Sequence, residues 1–418
     1  MELFNKRLIK QAIEKSHFII AEKDAHTRDI ITKIQDFLIK DKNRTKEKSI
    51  QSLYLQRIFE EILGYPSQLS GLDEYNLIIE PTTDYDSTEP DGALGFFSEK
   101  GKAVKAVIEL KPSGTDLDKK QTSRKDQKSP VEQGFGYSYK FDGCIWVIIS
   151  NFNEIRLYNT LRGIEFYEQF NIFNLQEDEE FKKFYFLLCK KNLISKTENS
   201  VIELLTKETS INEENITKEF YKTYKDTRIK LFNHLTQNNP QIDKYTILEK
   251  VQKIIDRVIF ISFCEDLGLL PYNIFRDILK TSEYSFDISE TKIWNQVKGL
   301  FHSINQGNPN RAINKFNGGL FAEDTILDSL IIKDETIKEI IRISDYDFES
   351  DLNVNILGHI FEQSISDIEE MKSEISDKTL EKKIGKRKKE GIYYTPEYIT
   401  KYIVEQAVGG WLEDKKTN

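Results

Sequence analysis

Apolar residues fall three and four positions apart from the start of the chain to about Leu63, in LIKQAIEK, RDIITKIQDFLI and SIQSLYLQRIFEEIL. That spacing gathers them on one face of a 3.6-residue repeat and predicts helices. Gly64 follows where a helix C-cap should fall. Between Tyr75 and about Tyr158 the period shortens: NLIIE, ALGFF, KAVKAVIEL, GCIWVIIS and EIRLYN are brief runs bounded by Gly, Pro, Asp and Asn, the pattern of strands in a mixed sheet. The turn SEKGK predicts that ALGFF and KAVKAVIEL pair antiparallel as a hairpin. After about Asn192 the chain turns polar, and long helical periods then run to about Glu381. Within them DRVIFISFCEDLGLL and DLNVNILGHIFEQSI read as core helices and FNGGLF as a glycine-mediated turn. A basic run, KKIGKRKKE, leads into a tight turn and one amphipathic helix in GIYYTPEYITKYIVEQAV. The expected fold class is α+β, a mixed sheet flanked by helices, followed by an all-α domain.

Composition narrows the class without changing that layout. A chain of 418 residues exceeds what one core usually serves, and 39% hydrophobic with 31% charged residues describes a folded protein rather than a disordered one. Cys144, Cys189 and Cys264 sit in apolar contexts without metal or disulfide spacing. The first twenty residues mix charges throughout, unlike a signal peptide. No apolar run approaches the roughly 18 to 20 residues that span a bilayer, so the expected location is the cytoplasm. A net charge of -9 speaks against overall positive potential and leaves room for a local basic patch.

Candidate chemistry centres on residues 90–111. VKAVIEL is apolar enough for a central strand, yet Glu109 and Lys111 stand at its end. Side chains alternate along a strand, so these two share a face, with Leu110 on the other. Burying either charge is costly without a partner. The hairpin brings Asp91, in the turn PDG, beside them. Two nearby carboxylates repel, and a hard divalent cation such as Mg2+ relieves the repulsion by taking oxygen ligands from both. Asp91 and Glu109 are therefore the candidate metal ligands, and Lys111 is placed to orient a water or steady charge on a phosphate.

Pro90-Asp91 followed by Glu109-Leu110-Lys111 resembles the PD-(D/E)xK nuclease signature over roughly residues 50–160. The resemblance implies catalytic roles for Asp91, Glu109 and Lys111, and an acidic residue from the preceding helix, for which Glu60 and Glu61 both remain open. It also implies a Gln or Glu on the helix after the second core strand. In SPVEQGFGYSYKF, Ser129 suits an N-cap, Pro130 the first helical position and Glu132 a capping box, which puts Gln133 near the helix start, facing DNA or a metal-bound water. Lys119, Lys120, Arg124, Lys125 and Lys128 form a basic run suited to a phosphate backbone. Tyr137 and Tyr139 suit core packing better than base stacking. His302 and His359 have no ligand partners in the pattern and are expected in core or surface roles.

The ending resembles another family. Tyr394, Thr395 and Pro396 look like the Y-T-P turn that opens the catalytic domain of gamma-type adenine-N6 DNA methyltransferases and helps hold S-adenosylmethionine. The order of nuclease, helical connector and Y-T-P segment resembles single-chain type IIG restriction-modification enzymes. That resemblance implies an N-terminal helical segment at 1–50, a nuclease domain at 51–192, a connector at 193–385 and the start of a methyltransferase domain at 386–418. It also implies double-stranded DNA as partner, with methyltransferase and target-recognition domains missing or separate. No D/N-P-x-x-G-x-G or N-P-P-Y/F motif occurs, so methyl transfer and S-adenosylmethionine are expected only of an intact enzyme. The expected activity is Mg2+-dependent hydrolysis of DNA. The rival readings are an adenine methyltransferase with these residues as its front, and a non-catalytic helical adaptor.

Overall fold

The computed structural model describes residues 2–16, 24–41, 47–121, 127–316, 318–352 and 354–375, together with Val404. The chain divides into two compact units, residues 1–211 and 212–418.

In the first unit, helix α1 (Lys6–Lys15) begins at Asn5, whose Oδ1 accepts the Arg7 and Leu8 amide protons at 3.0 and 3.2 Å. Helices α2 (Asp24–Asp41) and α3 (Glu47–Tyr54) follow. The expected α-helix over SIQSLYLQRIFEEIL changes character midway, because Leu55–Ile62 is π-helical. Its wider turn keeps Leu55, Ile58, Phe59 and Ile62 all buried. Gly64 ends the run at φ +79°, as a C-cap glycine should.

Six strands then form a single sheet in sequence order: β1 (Tyr75–Ile79), β2 (Gly92–Ser98), β3 (Gly101–Leu110), β4 (Trp146–Ser150), β5 (Glu154–Asn159) and β6 (Tyr167–Asn171). Only β3 and β4 run parallel. A parallel neighbour needs a crossover, and α4 (Pro130–Ser138) lies in it. The mixed sheet and the β2–β3 hairpin are as expected. Strand β6 had no sequence signal because Glu168, not an apolar residue, fills a buried position in YEQFN; its carboxylate accepts the Phe4 amide proton at 3.1 Å and pairs with Lys183 at 2.7 Å.

Each face of the sheet is covered. Leu94, Ile108, Leu110 and Ile148 join a core with Leu3, Phe4 and the α3 to π-helix stripe, to which α5 (Asp178–Leu188) adds Phe181 and Phe184. Ala93, Val107, Val147 and Ile149 pack on the other face with Val131 and Phe135 of α4. Helix α4 approaches closely at Gly134, where a Cβ would sit 2.3 Å from Ile149 Cδ1. Short α6 (Lys190–Leu193) and long α7 (Val201–Asn238) follow.

The second unit is helical among its described residues. Helices α8 (Lys244–Asp266), α9 (Ile274–Glu283), α10 (Lys292–Gln306), α11 (Thr325–Ser329), α12 (Asp334–Ile341) and α13 (Val354–Ile375) close around Trp294, Phe301 and Ile337. The expected glycine turn is a short 3-10 segment, Gly319–Phe321, held by Arg257 of α8, which donates to the Leu320 and Ala322 carbonyls at 2.8 and 3.0 Å. No described helix is long and apolar enough to cross a membrane. All three cysteines are free and buried, and burial pushes the Cys144 thiol up to about 12.

Candidate active site at the end of strand β3

The hairpin register pairs Gly92 with Ile108, so Asp91 stands opposite Glu109, one step beyond the paired residues of β2. Alternation puts Asp91 on the side of Ala93, and Glu109 and Lys111 on the side of Val107, which is the face under α4. Leu110 points into the opposite core. One hydrogen bond ties the group together: Asp91 Oδ2 accepts the Leu110 amide proton at 2.6 Å. The Asp91 carboxylate is therefore attached to the peptide unit that separates Glu109 from Lys111.

Lys111 Nζ donates to a Glu109 carboxylate oxygen and, at 3.1 Å, to the Leu110 carbonyl. The Lys111 and Glu109 side chains are only 4% and 3% exposed, while Asp91 is half-buried. A buried ion pair of this kind has to offset a desolvation cost of several kcal/mol per ion. The backbone beneath is fixed by Lys111 N donating to Ser150 O at 2.8 Å.

The loop before Pro90 is also anchored. Lys140, just past α4, pairs with Asp86 at 2.6 Å and donates to Thr88 Oγ1 at 2.9 Å, and Lys102 of β3 pairs with Asp84 at 2.8 Å. Hydrogen bonds from Lys140 and Thr88 hold the Asp86 carboxyl well below the usual carboxylate range.

Helix α4 forms as its sequence predicts. Ser129 Oγ accepts the Glu132 amide proton at 3.1 Å and the Glu132 carboxylate accepts that of Ser129 at 2.7 Å, a complete capping box with Pro130 behind it. Gln133 is buried on the sheet side; its Nε2 donates to Tyr137 Oη at 3.1 Å, and its Oε1 has no hydrogen-bond partner among the described residues. An acceptor buried without a donor costs about 1–3 kcal/mol, which a ligand with an N–H or O–H group would recover.

Glu60 and Glu61 are engaged elsewhere. Glu60 Oε1 accepts from Ser67 N and Oγ, both at 3.0 Å, and Glu61 pairs with Arg57 at 2.6 Å. The side chain of the preceding helix that touches the site is Gln51, whose Nε2 donates to Asp91 Oδ1 at 3.0 Å. Gln51 is uncharged, so the acidic residue expected of the preceding helix does not point to it. The available signal was position, since Gln51 shares a helical stripe with Tyr54, Leu55 and Ile58.

Lys119, Lys120 and Lys128 are exposed on the connection between β3 and α4, while Arg124 and Lys125 lie outside the described residues. Tyr137 packs against the α4-side core as expected, but Tyr139 is 69% exposed, because it follows the last turn of α4 where the chain leaves the sheet. His302 and His359 are both exposed. Tyr394, Thr395 and Pro396 lie outside the described residues.

Among the described residues no group of three or more His, Cys, Asp or Glu could hold a metal ion. The site instead offers two carboxylates, Asp91 and Glu109, and the Leu110 carbonyl. An all-oxygen set of this size suits Mg2+, which keeps several of its own waters and takes one or two protein carboxylates.

No family model matches the chain. It is similar to a Methanocaldococcus jannaschii protein provisionally named a type II restriction enzyme and methyltransferase, with 25% identity over 421 residues, covering 84% of this chain and 32% of that protein. The chain thus spans about a third of the length of that relative. Among solved structures it is similar to a chain of the cryo-EM structure of a DrdV–DNA complex, at 13% identity and a TM-score of 0.27, covering 91% of this chain and 31% of that one.

Proposed function

We propose that the chain is the DNA-cleaving portion of a restriction-modification enzyme, in which a PD-(D/E)xK nuclease core hydrolyses phosphodiester bonds with Mg2+. The observation that carries the reading is the attachment of Asp91 to the Leu110 amide, which brings both carboxylates and the Lys111 ammonium to one strand end. The name of the archaeal relative supports the class of system.

In this reading Asp91 and Glu109 would hold Mg2+, which when bound would supply Lewis acidity to the hydrolysis. The remaining work belongs to the chain. Each carboxylate oxygen has two acceptor positions, so Asp91 keeps its Leu110 bond while it serves as a ligand. The Lys111 ammonium, with one proton left after Glu109 and the Leu110 carbonyl, donates it to the phosphate oxygen on which negative charge grows. Gln133 offers its Oε1, which has no partner among the described residues, as a further acceptor. Lys119, Lys120, Arg124, Lys125 and Lys128 meet the backbone of double-stranded DNA. Residues 193–385 are read as the helical connector and 386–418 as the start of a methyltransferase domain. Methyl transfer and S-adenosylmethionine binding through Tyr394, Thr395 and Pro396 are reserved for an intact enzyme.

Cleavage of plasmid DNA with Mg2+ or with EDTA tests the reading. Asp91→Asn and Lys111→Ala are expected to lower the rate by about 100-fold or more, the usual scale for losing one transition-state electrostatic contact. Lys111→Ala removes the buried ammonium that pairs with Glu109, a change that costs about 3–5 kcal/mol, so its melting temperature is measured alongside. Asp91→Asn keeps the buried pair of Glu109 and Lys111, and wild-type cleavage by that variant would refute the assignment.

A further inference from the structure

We infer that Gln51 is a positioning residue that sets the orientation of the Asp91 carboxylate for cation binding, an inference resting on the reading that Asp91 and Glu109 share a divalent ion. Asp91 is gripped at both oxygens by neutral donors: Leu110 N at 2.6 Å on Oδ2 and Gln51 Nε2 at 3.0 Å on Oδ1. The first donor belongs to the strand that carries Glu109. The second comes from a different layer. Gln51 is 4% exposed on α3, whose neighbours Tyr54 and Leu55 touch the same strand ends. Tyr54 Oη meets Ser150 Oγ at 3.1 Å, and a Cβ on Gly92 would lie 3.5 Å from Leu55 Cδ1.

Helix α3 thus grips both strands that flank β3, through Gln51 at the start of β2 and Tyr54 at the end of β4. Hydrogen bonds from these two fixed groups restrict rotation of the carboxylate before any ion arrives. A neutral amide here also sets the charge of the site. A carboxylate at position 51 would make a cluster of three acids, which repel when empty and bind a divalent ion more tightly.

The test is calorimetric titration of the full chain with MgCl2 or MnCl2, without DNA, beside thermal melts. Gln51→Met keeps the side-chain volume and removes the donor; it is expected to weaken binding roughly tenfold, the scale of one charged hydrogen bond. Gln51→Glu is expected to bind at least as tightly as wild type. Unchanged affinity in Gln51→Met, even with a lowered melting temperature, would reduce Gln51 to a packing role and overturn the inference. Equal, negligible heats from wild type and Asp91→Asn would instead remove the two-carboxylate site itself, and the inference with it.

Discussion

Glu109 and Lys111 are buried charges that each make the other tolerable, and their ion pair shows how a single residue's cost depends on its neighbour. Asp256 in α8 shows the opposite case. Burial raises its carboxyl to about 6, although Gln252 donates to it at 2.7 Å and Arg228 favours its charge. The folded state therefore holds the proton more tightly than the unfolded chain, so stability falls as pH rises from about 4 to 6 and stays reduced above that. Asp256→Asn, which can still accept from Gln252, is expected to gain about 1–3 kcal/mol at pH 8 and nothing near pH 4. Urea unfolding at the two pH values checks this, and an equal effect at both would contradict it.

At the scale of elements, the β2–β3 hairpin carries the site. Its register changes between Leu94 and Gly95, and a Cβ at Gly95 would lie 2.1 Å from the Ala103 carbonyl oxygen. Backbone cannot yield there as the tip of the Ile149 side chain can at Gly134. Gly95→Ala is expected to destabilise the protein by about 1–3 kcal/mol and to lower cleavage, since the displaced register carries Asp91 away from Leu110. A variant with wild-type stability would show that the register change between Leu94 and Gly95 absorbs the methyl group. Period and capping residues make α4 and most strands legible in the sequence. The π-helical turn and β6 are not legible there, because hydrogen-bond spacing has no composition signature and a buried Glu168 imitates a surface residue.

For the whole molecule, a net charge of -9 bears on the proposed binding of DNA. An acidic body repels a polyanion, so attraction must come from a local patch whose contribution is sensitive to salt. Lys119→Ala, Lys120→Ala and Lys128→Ala combined are expected to weaken DNA binding at low salt. The slope of log affinity against log salt should fall by about 0.9 for each lysine that meets a phosphate. A slope equal to that of wild type would mean these lysines are merely solvated. The same electrostatics acts at the end of β3: where water is excluded, as around Glu109 and Lys111, charges act strongly on one another.

The sequence by itself determined the succession of helices, sheet and helices, the hairpin, the capped α4 and the two charged residues, Glu109 and Lys111, at the end of one apolar strand. These follow from period, turn chemistry and alternation, which act over a few neighbouring positions. Only the tertiary structure decided that Gln51 rather than Glu60 or Glu61 reaches Asp91, that Gln133 keeps an oxygen without a partner among the described residues, and that Glu109 and Lys111 are sealed together. Those outcomes depend on which layer covers which strand end, and a contact across 40 residues, such as that between Gln51 and Asp91, leaves no local pattern to read.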